Sequence, residues 1–272
     1  MPNDILAMAT SSDPWSPAVE VGIALAARWG SHLTSCYIEP ELRLVGGADL
    51  EPSVLGLLLQ PRTDDGGERS AFESHAHRLG AHEASWTVTH GGLAPTLREL
   101  GAWHDLAVLE RDMVEGVHVF DVLGEAMLGS HIPCLVLPPQ WHRELAVDRV
   151  MVCWNGSIEA ARAIHGALPF LQAAREVVLI DGEQHTLDDA EDRVPRFDPL
   201  NYLKRHHVVA SSRQIKVAAH LAGEALLQEA RRMHADLLVM GAYGHSRLRE
   251  RVLGGATRHL LAHALMPVLM QH

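Results

Sequence analysis

The chain has 272 residues, 47% of them hydrophobic, and a formal net charge of −11 with histidine neutral. That length suits one large or two modest globular domains, each able to bury a core. The acidic balance argues against nucleic acid as a partner, because such binding needs a basic face. It does not exclude a small anion held at a locally positive site. The opening MPNDILAMATSS lacks the basic and apolar regions of a secretory signal. No apolar run approaches the length of a membrane span. Cys36, Cys134 and Cys153 are widely separated and form no CxxC pair, which suits free buried thiols in a reducing compartment. A cytoplasmic protein without membrane association is expected.

In chain order, residues 5–9 read as a strand and 16–29 (SPAVEVGIALAARW) as a helix with Pro17 near its start. Strands are expected at 33–38 and 86–89, a helix at 94–104 (APTLRELGAWH), and strands at 106–109 and 134–137. The order then begins again: a strand at 150–153, a helix at 157–171, and strands at 176–180 and 214–217. A helix at 220–234 and strands at 237–240 and 268–270 complete it. Alternating strands and helices indicate an α/β fold with a parallel sheet.

The two halves align directly in places. LRELGAWHDLAVLE (97–110) matches LQEARRMHADLLVMG (227–241), and IPCLVLP (132–138) matches MPVLMQH (266–272). An Asp precedes the fourth strand of each half and a Pro precedes the fifth, which favours duplication over chance likeness. The seam falls in PPQWHRELAVDR, 138–149, giving domains 1–143 and 144–272. Segments 39–68 and 181–200, rich in Gly, Pro and Asp, read as long insertions after the second strand of each half.

The most informative stretch follows the strand at 237–240. Gly241 ends it abruptly, Gly244 follows, and Gly254-Gly255 comes after nine more residues. In a five-stranded sheet of order 3-2-1-4-5, strands one and four are neighbours and ligands bind outside their carboxyl ends. Two glycine-containing turns, 155–157 and 241–246, then face one crevice. Gly241 and Gly244 can adopt left-handed backbone angles and admit a ligand closely. The run Gly254-Gly255-Ala256-Thr257 precedes a helical segment, whose amide groups and dipole favour an anion. From Gly241 onward stand Arg247, Arg249, Arg251 and Arg258 against the single carboxylate Glu250. The bland alternative is that these glycines only make tight turns. Together with the basic context they point to a phosphate-bearing ligand.

Gly-x2-Gly-x9-Gly after a strand ending VMG resembles the ATP-binding signature of the universal stress protein family. VMVCWNGSIEAARAI resembles that family's first strand and helix, and PVLM its last strand. The likeness covers most of 149–272 and, more weakly, 4–138. It implies a tandem-type protein: two Rossmann-like (adenine nucleotide alpha hydrolase-like) domains. Each would be a five-stranded parallel sheet of order 3-2-1-4-5 with helices on both faces. The resemblance also implies an adenine nucleotide (ATP, ADP or AMP, with or without Mg) and pairing of the domains as an internal pseudo-dimer, with homodimer formation left open. Gly241 and Gly244 would then meet ribose and phosphate, and Gly254, Gly255, Ala256 and Thr257 the phosphates. Asn155 stands where the family usually has Asp, and Gly255 where it has Ser or Thr.

In the first half Glu110 takes the place of Gly241, Met113 that of Gly244, and Thr10 or Ser11 that of the Asp after strand one. A carboxylate there repels phosphate, so the first domain is expected to keep the fold and lack the site. The favoured function is a stress-response sensor or regulatory module. The alternatives are a scaffold that binds no nucleotide and a slow hydrolase or adenylating enzyme. His245 and Ser246 follow the glycine turn, but no orienting acid accompanies them. His259 and His263 share a helix face, though two histidines fall short of a zinc ligand set, and no metal site is expected.

Overall fold

The computed structural model describes residues 1–43, 66–114, 122–182, 197–242 and 255–272. The chain divides into two compact units, Met1–Leu145 and Ala146–His272.

In the first unit the strands are β1 (Asp4–Ala9), β2 (His32–Ile38), β3 (Ala84–Thr89), β4 (Leu106–Glu110) and β5 (Cys134–Leu137). Each pairs in parallel, in the order β3-β2-β1-β4-β5. Among the described residues the unit's α-helices are α1 (Pro17–Trp29), α2 (Gly67–Arg78), α3 (Leu93–Gly101) and α4 (Gly124–Ser130). Both faces of β1 are covered: Ile5, Leu6, Ala7 and Met8 are fully buried. This is why the strand reads as a continuous apolar run rather than an alternating one. Trp15, Phe72 and Trp86 form an aromatic cluster between α2, β3 and the turn after β1.

The second unit repeats the plan with β6 (Arg149–Trp154), β7 (Glu176–Asp181), β8 (Ala210–Gln214), β9 (Leu237–Gly241) and β10 (Val268–Gln271). Its parallel order is β10-β9-β6-β7-β8, again 3-2-1-4-5 read from the other end. Its helices are α5 (Ile158–Gly166), α6 (Leu168–Ala173), α7 (Pro199–Arg205), α8 (Ala222–Arg232) and α9 (Gly255–His263).

The repeated Asp and Pro do the same work in each unit. Asp105 accepts hydrogen bonds from the Asn3 and Asp4 amides at 2.6 and 3.2 Å, and Asp236 accepts one from Arg149 at 2.9 Å. Each ties the start of the fourth strand to the start of the first. The carbonyls of Pro133 and Pro267 accept from Ala107 and Leu238, opening the fifth-strand pairing.

Three expectations need correction. The helix expected over 157–171 is two helices, because Pro169 lacks an amide proton and its ring crowds the preceding turn. The strand expected at 214–217 lies at Ala210–Gln214. There Ser211, Ser212, Arg213 and Gln214 are all exposed, so no apolar pattern marks it. Most of the expected insertions, 39–68 and 181–200, lies outside the described residues. Their ends nevertheless hold helical structure, a short 3-10 turn at Pro40–Leu42 and the start of α7, capped by the Asp198 side chain on the Leu200 amide. No helix among the described residues is long and apolar enough to cross a membrane.

Candidate functional site

In the second unit β6 lies between β9 and β7, so its carboxyl end is the point where the strand order reverses. The turn that follows is Asn155-Gly156-Ser157. The Asn155 side-chain oxygen accepts the Ser157 amide proton at 3.1 Å. Gly156 takes φ +79°, a left-handed angle that glycine adopts without penalty. Ser157 then caps α5, its hydroxyl accepting from the Ala160 amide at 3.1 Å. That bond orients the Asn155 amide, whose –NH2 group can donate two hydrogen bonds and which carries no charge.

Gly241 ends β9 beside Trp154, since Met240 pairs with Cys153. Its φ is not left-handed, contrary to the expectation from sequence. Its lack of a side chain has another cause: a Cβ there would lie 2.5 Å from the Ala160 nitrogen and 2.6 Å from the Glu159 carbonyl carbon. The first turn of α5 packs directly on the end of β9, and glycine is what allows it.

The strand pairing therefore places Asn155 and Gly241 at the carboxyl ends of neighbouring strands. Gly255, Ala256 and Thr257 form the first turn of α9, which packs on α8. A Cβ on Gly223 would lie 3.2 Å from the Ala256 Cα. Gly255 is exposed and a Cβ on it would meet open space. Thr257 is 5% exposed, so its side chain is largely withdrawn from solvent. Gly244, Gly254, His245, Ser246, Arg247, Arg249, Glu250 and Arg251 lie outside the described residues.

Sequence reading missed Asp181 and Glu159. Asp181 ends β7 opposite Trp154, and Glu159 stands in the first turn of α5. The Asp181 Oδ1 and Glu159 Oε2 atoms are buried without a hydrogen-bond partner. Desolvation raises the Asp181 carboxyl above its ordinary value. In the sequence Asp181 was absorbed into an expected insertion; its place at the end of the second strand was the available signal.

The first unit differs at the same place. Glu110 ends β4, is 6% exposed, and accepts from the Thr10 hydroxyl at 3.2 Å and the Ala18 amide at 3.2 Å. Burial pushes its carboxyl upward, aided by Asp112 and opposed by these hydrogen bonds. Its side chain thus takes up a free amide at the start of α1. Met113 is 3% exposed just beyond it.

The His259 and His263 rings lie 4.6 Å apart, tilted by 57°, and border a cleft with Glu224. Among the described residues no group of three or more His, Cys, Asp or Glu could hold a metal ion.

Residues 146–272 match the model of the universal stress protein family. A universal stress protein of Synechocystis sp. is 28% identical over 140 residues, covering 50% of this chain and 46% of that protein. The chain thus aligns with about half the length of that curated relative. A universal stress protein from Archaeoglobus fulgidus DSM 4304 superposes with TM-score 0.64 at 14% identity, covering 99% of this chain and 96% of that one. A functionally unknown protein from Pseudomonas aeruginosa PAO1 does so with TM-score 0.63 at 12% identity, covering 99% and 92%. At such identities the likeness is one of fold, and it extends through both halves. Residues 146–272 are a domain of the universal stress protein family.

Proposed function

We propose that residues 146–272 bind an adenine nucleotide at the carboxyl edge between β6 and β9. We read the chain as a tandem universal stress protein whose first half keeps the fold and has lost the site. Its role is then that of a stress-response sensor or regulatory module whose contacts follow the nucleotide it holds. One observation carries this reading: at the strand-order reversal the second unit carries the uncharged Asn155-Gly156-Ser157 turn, whereas the first holds the Glu110 carboxylate bonded to Thr10 and the Ala18 amide.

An acceptor-only carboxylate excludes phosphate; amide donors suit it. Gly255 to Thr257 offer amide groups at the start of α9 for the same purpose. Asn155 brings no carboxylate to a divalent cation, so a Mg ion accompanying the nucleotide would rest on its phosphates.

The test is chemical. Nucleotide extracted from purified protein is identified by mass spectrometry, and ATP, ADP and AMP are titrated calorimetrically. Gly255→Glu places a carboxylate at the start of α9 where a Cβ meets open space, and should weaken binding at least about tenfold. Gly241→Glu is a poorer probe, because any side chain there also collides with α5. Absence of binding for all three nucleotides would leave the scaffold reading, in which the chain acts through protein contacts alone.

A further inference from the structure

Resting on the nucleotide reading above, we propose that Asp181 selects a ribonucleotide by accepting a hydrogen bond from a ribose hydroxyl. Its backbone is fixed on both sides. Gly182 donates to the Trp154 carbonyl at 2.9 Å, and Ile215 donates to the Asp181 carbonyl at 3.0 Å. The side chain is held at the carboxyl end of the unit's second strand, with one carboxylate oxygen buried and unpartnered. A buried acceptor without a donor costs free energy that a ligand hydroxyl recovers. In doubly wound units an acidic residue roughly twenty residues beyond the glycine turn serves this purpose for ribose. Asp181 occupies that position relative to Asn155-Gly156-Ser157.

The geometry fits one nucleoside. Asp181 and Gly241 flank Trp154 on adjacent strands, about 9.5 Å apart at two strand spacings. Phosphate is excluded at Asp181, because an ionised carboxylate offers no donor. Glu159, the other carboxylate with an unpartnered oxygen, belongs to the Gly241 side of the crevice, where its Cβ would lie 2.9 Å from a Cβ on Gly241. That leaves Asp181 to the sugar.

The experiment titrates the full chain with ATP, 2′-deoxyATP and 3′-deoxyATP. ATP should bind about tenfold or more tightly than at least one deoxynucleotide, as expected for a hydrogen bond to a charged acceptor. Asp181→Ala should bring ATP down to that weaker affinity and leave the deoxynucleotide unchanged. Asp181→Asn, which keeps an acceptor oxygen, should retain part of the preference. Equal binding of all three nucleotides by the unaltered protein overturns the role of Asp181 and leaves the nucleotide reading standing. No binding of ATP overturns both. The comparison among nucleotides needs no variant, so a misfolded Asp181→Ala does not obscure it.

Discussion

Gly241 packs so closely on Ala160 that a Cβ at residue 241 would lie 2.5 Å from the Ala160 amide nitrogen. The contact joins the end of β9 to the first turn of α5. Gly241→Ala forces them apart and should destabilise the protein by about 1–3 kcal/mol, the usual cost of overpacking. Gly255→Ala, whose Cβ meets open space, should shift stability by no more than about 0.5 kcal/mol. Urea denaturation of the two variants checks the contrast. Equal effects would contradict the packing account.

The buried Glu110 carboxyl gives stability a definite pH dependence. Its value in the folded chain is raised above the ordinary 4.5, by burial first and Asp112 second. Thr10 and Ser16 hydroxyls and the Ala18 amide oppose the rise, and Arg43 is the nearby cation. A carboxyl raised on folding binds its proton more tightly in the folded state. Its contribution is full below the unfolded value and is lost as pH rises through the folded one. Glu110→Gln removes that loss. Melting curves from pH 4 to 8 should show the Gln variant gaining on the parent as pH rises above about 4.5.

Cys36, Cys134 and Cys153 are free and buried, and burial pushes each thiol up to about 12. Thiolate is the reactive species, and at pH 8 its share is on the order of one part in ten thousand. An aromatic disulfide reagent should therefore release almost no chromophore from the folded protein. In denaturant it should titrate all three cysteines. Rapid reaction of any one in the folded state would show local opening around it.

Glu229 is 6% exposed on α8 and pairs with Arg213 at 2.8 Å and Arg232 at 3.0 Å. Arg213 belongs to the exposed strand β8, so this contact ties that strand to a helix. Glu229→Ala should cost about 1–2 kcal/mol, discounted because both arginines are more than half exposed. Hydrogen exchange of the β8 amides should accelerate more than that of β9.

Turnover of ATP, if the nucleotide binds, should stay below about 1 s⁻¹. Phosphoryl transfer needs a metal bridging the phosphates and a positioned nucleophile. Donors such as the Asn155 amide would hold ground state and transition state alike, which gives affinity without rate. Single-turnover measurement with Mg-ATP checks this. Hydrolysis at tens per second that is lost on changing His245 would favour the enzyme.

The duplicated α/β plan was legible because its signals are local. The runs at 5–9, 106–109, 150–153 and 237–240 are apolar throughout, as strands buried on both faces must be. Asp105 and Asp236 repeat because each unit needs the same tie between its first and fourth strands. Strand β8 was misplaced because its residues are exposed and carry no pattern. Helix α2 went unread because only Phe72 and Ala76 of its twelve residues are buried.

Residue type alone determined the class of fold, the glycine turn at the end of β6, and the substitution of Glu110 for Gly241. Tertiary structure decided why these matter. Only the packing of α5 on β9 shows that Gly241 is required by a helix backbone at 2.5 Å. Only the pairing of β6 with β7 brings Asp181 opposite Trp154, although the two are far apart in sequence. Close approach and loss of solvent arise between elements distant along the chain, and so they are fixed by the packed structure rather than by any local pattern of residues.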